Sequence, residues 1–371
     1  MVLVVPRPIE MPEIPITVLP VEGSLRDKSI LDRPDQLGFG KYFTDRMFVM
    51  EYVGGKWVKP TIKKNEPLSL DPAASVLHYA QEIFEGMKAF RQDNGRIVLF
   101  RPDRNITRLN QSADRMCMPR IDPKMFIQSL RHLVKLEKDW VPKDQQSSLY
   151  IRPTFIATDA QLGVRPSDKY LFYIILSPSG PYFKEGFKPV KIFVTDKYVR
   201  AVPGGVGFAK TGGNYARSLK AMEDAAKFGC SQVLWLDGIH RRYIEEVGAM
   251  NIFFVKEGIA YTAPLNNGTI LPGVTRESII QICRDLGIEV RKEFLDIDET
   301  LSGIQEGEVT EVFGTGTAAV VSPIGELIYK NEQYVIGQGA IGPITERLYR
   351  ALTDIQRGRG PDLHNWIVPV D

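Results

Sequence analysis

Lys210 lies in the run Gly204-Gly205-Val206-Gly207-Phe208-Ala209-Lys210-Thr211-Gly212-Gly213-Asn214-Tyr215, a lone lysine in backbone nearly free of side-chain bulk. Five glycines in these twelve residues let a flat ligand approach the main chain closely, and Val206 and Phe208 are apolar enough to strip water from the amine. A desolvated ammonium gives up its proton more readily, as a lysine forming a Schiff base must. Taken alone, such a run reads more simply as a surface loop with a solvated lysine. The rest of the chain decides between the two.

Three further groups of residues point the same way. Glu246, in Glu245-Glu246-Val247-Gly248-Ala249-Met250-Asn251, stands just before an apolar strand, where a partly buried carboxylate can stay ionised beside a protonated ring nitrogen. Leu271-Pro272-Gly273-Val274-Thr275 opens a helix whose free N–H groups suit an anion, with the Thr275 hydroxyl beside them. Gly314-Thr315-Gly316-Thr317-Ala318 offers a second anion nest, and Arg108 a fixed positive charge. In Tyr150-Ile151-Arg152, residues two apart in a strand share a face, so a phenol and a guanidinium converge to grip a carboxylate. Phe39, Tyr79 and Tyr182 are candidates for aromatic walls. Schiff-base lysine, ring-nitrogen acid, phosphate donors and carboxylate grip are together what pyridoxal phosphate chemistry requires of a protein. Each group has a plain alternative: a solvated acid pair, an ordinary turn, an exposed helical arginine, a solvent-facing Tyr/Arg pair.

These residues need elements to hold them. Residues 47–52 and 56–58 flank Gly54-Gly55 as a hairpin, 96–100 is a strand after Asn94-Gly95, and 104–116 and 123–138 have helical spacing. Strands at 149–157 and 170–176 follow. Beyond them the pattern predicts a strand at 191–195, a helix at 216–228 stopped by Gly229, a strand at 232–236, a hairpin of 252–255 with 259–262, and a helix at 274–286 stopped by Gly287. The chain thus divides into a Pro-rich arm (1–37), a smaller α+β domain (38–176), a turn-rich linker (177–189) and a larger domain (190–371).

The 371 residues, 43% hydrophobic and 25% charged, make a globular protein of two ordinary cores. A net charge of +2, with no dense basic block and no zinc spacing, argues against nucleic-acid binding and points to small metabolites. Cys117, Cys230 and Cys283 form no CxxC pair and are expected to be reduced thiols. No apolar stretch nears the ~20 residues of a membrane span. A cytoplasmic protein is the expectation, and a mature organellar form would read the same way.

Phe208-Ala209-Lys210-Thr211-Gly212-Gly213-Asn214-Tyr215, Glu246-Val247-Gly248, Leu271-Pro272-Gly273-Val274-Thr275-Arg276 and Phe313-Gly314-Thr315-Gly316-Thr317-Ala318 stand in one family order. So do Phe39-Gly40-Lys41, His78-Tyr79 and Phe84-Glu85-Gly86-Met87-Lys88-Ala89-Phe90. The chain resembles the branched-chain amino acid aminotransferases, class IV pyridoxal phosphate enzymes, from about Phe39 nearly to Trp366. The resemblance implies fold type IV, an α+β protein in which a smaller N-terminal domain and a larger C-terminal pseudo-barrel enclose the cofactor, and it implies a homodimer. It implies amino transfer between leucine, isoleucine or valine and 2-oxoglutarate, with no metal. Lys210 would hold pyridoxal 5'-phosphate and shuttle the proton, Glu246 would pair with the pyridine nitrogen, and Tyr215 would meet the ring's phenolic oxygen. Arg108, Val274, Thr275 and Thr317 would hold the phosphate. Phe39, Tyr79, Tyr150, Arg152 and Tyr182 would line the substrate pocket, with amides at Thr317-Ala318 on the α-carboxylate side and Val164 capping the neighbouring subunit's site.

Two features depart from the family's habit: Ala249 replaces the threonine or serine of many relatives, and Ala319 and Ser322 stand where some animal relatives carry a CxxC thiol pair. Within the fold, D-amino acid aminotransferases and aminodeoxychorismate lyases are the alternatives. Outside it, residues 204–211 fall one glycine short of a phosphate-binding P-loop, Ala209 taking that place. A P-loop needs a helix starting at the lysine, which Gly212-Gly213 disfavours by roughly 1 kcal/mol each.

Overall fold

Gly54-Gly55 turns strand Arg46–Val53 back onto Lys56–Lys64, and this hairpin begins the first of two sheets in the computed structural model, which describes residues 14–180 and 187–370. The first sheet runs in the order Thr17–Val18, Lys56–Lys64, Arg46–Val53, Tyr170–Ser179, Ser148–Ala157, Met87–Arg91, Ile97–Phe100, Ile367–Pro369. Glu82–Phe84 adds to the far half of Ser148–Ala157. Helices Pro102–Arg115 and Pro123–Leu136 cover one face and bury Ile106, Leu109, Phe126, Leu130 and Leu133 against Phe48, Ile151, Phe155 and Phe172. The second helix starts where Asp122 accepts the Lys124 and Met125 amides and Pro123 takes a position that needs no donor.

The second sheet closes on itself. Met250–Lys256, Val309–Gly316, Val320–Tyr329, Val190–Thr195, Gln232–Leu236 and Tyr243–Val247 follow one another, and the last pairs back with the first. Val194, Leu234, Ile252, Val312 and Leu327 fill this pseudo-barrel's core, plugged by Ile297, Leu301 and Ile304 of helix Ile297–Gln305. A third core joins the sheets. Helices Val274–Asp285 and Pro343–Arg357 wedge Ile279, Cys283, Leu348 and Leu352 between Phe90 and Val98 of the first sheet and Phe253 and Phe313 of the second.

Three expectations change. The linker expected at 177–189 begins later, because Ser177, Pro178 and Ser179 extend their strand opposite Tyr150, Leu149 and Ser148. Residues 181–186, Tyr182 among them, and 1–13 of the arm lie outside the described residues; Ile14 is tied at its N–H and C=O to the Gln128 amide. The chain end returns to the first sheet as Ile367–Pro369, so no single cut separates the two halves. The single helix expected over 216–228 is two, Gly212–Ala216 and Leu219–Ala226, the Ser218 hydroxyl capturing the Tyr215 carbonyl at the break. Among the described residues no helix is long and apolar enough to cross a membrane, and no cluster of three His, Cys, Asp or Glu is placed to hold a metal.

Candidate active site

A cavity of ≈ 590 Å³ opens where the two sheets meet, and the expected residues Phe39, Arg108, Tyr150, Arg152, Lys210, Tyr215, Glu246, Val274, Thr275, Thr317 and Ala318 all line it. Lys210 is clamped by its backbone. Its N–H donates to Ser112 Oγ (2.9 Å), its carbonyl accepts from the Phe84 amide (3.0 Å), and Nζ donates to the Tyr215 hydroxyl (2.8 Å). The ammonium also lies over the Phe84 and Tyr215 rings, 4.8 and 5.1 Å from their centres.

The short helix after Lys210 forms despite its glycines. The Asn214 amide bonds the carbonyls of Val206 and Ala209 (2.8 and 2.9 Å), and a side chain at Gly212 would put Cβ 1.8 Å from Glu82 Oε1. The nucleotide-binding reading does not return with this helix. A P-loop directly follows its strand, whereas the strand before Lys210 ends at Thr195.

Glu246 sits inside strand Tyr243–Val247, which the sequence pattern misses because Glu245-Glu246 breaks the apolar run. Asn251 stands directly across the tight turn and donates to Glu246 Oε1 (3.0 Å); Thr315 is the next cross-strand neighbour. Arg200 Nε lies 2.7 Å from Glu246 Oε2, at an angle outside hydrogen-bond geometry. Burial outweighs the Arg200 charge and pushes the Glu246 carboxyl up to about 7.

With the folded-state pKa raised, the unfolded chain releases this proton first. Cofactor-free protein is therefore expected to lose stability as pH rises from 4.5 towards about 7, by on the order of 3 kcal/mol from this group. Thermal unfolding over that window should show the slope in the native protein and a flatter one in Glu246→Gln. Equal slopes contradict the assignment.

Glu85, fully buried, organises the wall opposite. Arg108 donates Nε and Nη2 to its two oxygens (2.8 and 2.9 Å), Asn105 adds a third bond (2.7 Å), and Arg108 Nη1 reaches the Pro272 carbonyl (3.0 Å). Burial alone raises the Glu85 carboxyl, but Arg108 overrides it and holds the group below its ordinary value. Lys88, buried beneath the Thr317-Ala318 turn, donates to the Ala318 carbonyl (2.8 Å), and burial pushes its ammonium down to about 7. Nothing local in the sequence marks Arg200, whose partner is remote; Lys88 is a charge in the apolar strand Met87–Arg91, and Glu85 stands in the two-residue break before it.

Tyr150 and Arg152 share one face of Ser148–Ala157, and Arg152 Nη2 donates to the Tyr150 hydroxyl (3.1 Å). Gly86 is what admits the phenol, since a Cβ there would lie 2.0 Å from the Tyr150 oxygen. Phe39 packs edge-on against Tyr150 at 4.7 Å. Among the described residues no carboxylate lies within ion-pair distance of Arg152, and its Nε is buried without a partner. Tyr79 and Val164 are not brought to this cavity. The Tyr79 hydroxyl donates to the Leu162 carbonyl on the outside of the chain, and Val164 is 83% exposed.

The chemistry of the cavity suits a planar phosphorylated ring. Glu246 Oε2 and Thr315 Oγ1 are buried without hydrogen-bond partners, and helix Val274–Asp285 begins at Gly273 with no side-chain cap, leaving its first amides to an anion. The class IV aminotransferase family profile matches residues 82–327. The chain belongs to the class IV aminotransferases, whose cofactor, pyridoxal 5'-phosphate, is also this protein's. It is 55% identical to branched-chain-amino-acid transaminase 1 of Bacillus subtilis, over 91% of this chain and 95% of that one. It is 47% identical to the branched-chain-amino-acid aminotransferase of Mycolicibacterium smegmatis, over 95% and 96%. Within the class it is a member of the branched-chain-amino-acid aminotransferases. Solved structures agree on the fold: the Escherichia coli branched-chain amino acid aminotransferase (TM-score 0.74, 28% identity, 87% of this chain and 99% of that one) and the T.th. branched-chain amino acid aminotransferase with pyridoxamine 5'-phosphate (0.72, 27%, 87% and 98%).

Proposed function

We propose that this protein transfers the amino group of L-leucine, L-isoleucine or L-valine reversibly to 2-oxoglutarate. The observation that carries the substrate reading is Arg152, a guanidinium in an aromatic pocket with no ion-pair partner among the described residues. One pocket has to accept an aliphatic side chain and a γ-carboxylate in alternate half-reactions. Arg152 and the Tyr150 hydroxyl serve the acid, charge to charge. Phe39, the Phe84 ring and Ile175 bury the aliphatic chain, at ~0.8 kcal/mol for each methylene taken from water.

In this reading Lys210 Nζ would hold the cofactor and, as a free amine, would carry the substrate's α-proton. The Tyr215 hydroxyl fixes the position of Nζ, and Phe84 shields it from water. Glu246, held by Asn251 and Arg200, would pair with the ring nitrogen. The amides of Val274 and Thr275, the Thr275 and Thr317 hydroxyls and Arg108 would hold the phosphate, and the Thr317-Ala318 amides would meet the α-carboxylate. When bound, the cofactor supplies the electron sink for breaking a bond at the substrate's α carbon.

The reading includes a cytoplasmic homodimer. Leu77, Tyr79, Leu162 and Val164 form an exposed apolar patch away from the chain's own cavity, which supports placing Tyr79 and Val164 at the cavity of a second copy. The substrate division is tested by single-turnover rates. Arg152→Ala is expected to slow the half-reaction with L-glutamate by about 10- to 100-fold, the worth of a hydrogen bond to a charged group, and the one with L-leucine by less than about threefold. Equal losses would sink the division of labour.

A further inference from the structure

A second cavity, of ≈ 410 Å³, lies on the far side of the phosphate-binding turn, lined by Arg101, Arg104, Arg276, Arg284 and Lys292 against one carboxylate, Glu277. Glu277 is already neutralised, since Arg101 Nη2 and Arg104 Nη2 each approach it to 3.0 Å. Among the described residues Arg276, Arg284 and Lys292 make no ion pair. His364, which also lines the cavity, bonds Asp285 (2.7 Å).

Two of these cations are held at a cost. Arg276 is only 4% exposed, bonds a carbonyl, Ala263 O (2.8 Å), and burial pushes its guanidinium down to about 10. Arg101 keeps a left-handed backbone (φ +48°), and its buried Nε has no hydrogen-bond partner, although Ser278 and the Trp366 ring hold the rest of the guanidinium. Strain and unmet donors of this kind persist where a ligand uses them. A concave wall of one sign focuses its field outward, and arginine forks match the oxygens of phosphate or carboxylate groups two at a time.

We propose that this cavity binds a small polyanion, a molecule carrying two or more phosphate or carboxylate groups, outside the catalytic site. Such a ligand would bridge Arg101 and Arg104, from the helix of the first sheet, to Arg276, Arg284 and Lys292 on the second half of the molecule. Gly273 lines both cavities, and Arg276 follows Val274 and Thr275 in the first turn of the same helix. A bound polyanion therefore stiffens the turn that holds the cofactor phosphate and slows cofactor release. The coupling rests on the functional reading above; the binding does not.

The test is calorimetric titration of the cofactor-loaded protein, its catalytic phosphate site filled, with tripolyphosphate and in parallel with citrate and sulfate at physiological salt. Tripolyphosphate is expected to bind with sulfate much weaker, and the exposed double variant Arg284→Glu/Lys292→Glu to weaken it by tenfold or more. The neutral variant Arg284→Gln/Lys292→Gln should fall between them, which separates lost charge from lost folding. Citrate matching tripolyphosphate assigns the site to carboxylates within the same chemistry. No tripolyphosphate binding below about 1 mM, or equal binding by the charge-reversed protein, overturns the site. Unchanged cofactor release with tripolyphosphate bound overturns the coupling alone.

Discussion

Lys210→Ala is expected to lower transamination by at least about 10⁴-fold while leaving a folded protein. In the proposed mechanism two losses combine, that of the amine that would hold the cofactor and that of the proton carrier, either of which alone is worth about 10²–10⁴. The fold survives because the loop is held through the backbone of residue 210, by Ser112 Oγ and the Phe84 amide, and through Asn214; none of these bonds uses the lysine side chain. Lys210→Arg should not rescue the activity, since a guanidinium stays charged throughout the accessible pH range. Steady-state rates together with far-ultraviolet circular dichroism check both halves, and a Lys210→Ala protein within tenfold of native turnover would remove the lysine from the mechanism.

Glu85→Ala should carry the largest loss of stability, about 3–5 kcal/mol, because it leaves the Arg108 guanidinium buried without its counter-charge. Arg108 is 6% exposed and Glu85 fully buried, so water cannot take the carboxylate's place cheaply. The same change frees Arg108 to shift away from the Pro272 carbonyl, so in the proposed reading, where Arg108 helps hold the phosphate, cofactor affinity is expected to fall with stability. The double replacement Glu85→Leu/Arg108→Met distinguishes the two effects. It is expected to recover much of the stability, by replacing a buried pair with apolar groups, and to leave cofactor binding weak. Urea midpoints and cofactor titration measure these quantities separately. A Glu85→Ala protein as stable as the native one would mean that the pair is not buried in solution.

The elements that were legible in the sequence are those whose signals are local. Helical spacing announces the helix that begins at Pro123, Glu257-Gly258 a hairpin, and the apolar run at 232–236 a strand that appears with those bounds. The residues that line the cavity were legible in type, because a lysine among glycines and a Tyr/Arg pair two apart are unusual settings for such side chains. What stayed hidden depends on register between distant strands. Glu246 reads as the start of the following strand, yet it occupies the one before the turn, because pairing with Trp235 on one side and Asn251 on the other outweighs the poor strand propensity of two adjacent acids. Closure of the pseudo-barrel hangs on the same pairing, and only the resemblance anticipated it. Arg200, the counter-charge of Glu246, lies in an unremarkable Val199-Arg200-Ala201 stretch and acquires its role from the fold alone. The return of Ile367–Pro369 to the first sheet is equally a matter of packing, Trp366 being anchored beneath Arg101.

The most direct test of the central claim is the visible absorption of the purified, cofactor-loaded protein as single amino acids are added without any 2-oxo acid. L-leucine is expected to bleach the absorption of cofactor held on Lys210, 2-oxoglutarate to restore it with release of L-glutamate, and D-alanine to leave it unchanged. Bleaching by D-alanine while L-leucine has no effect would contradict the account, since the pocket built on Tyr150 and Arg152 would then serve the opposite hand of substrate.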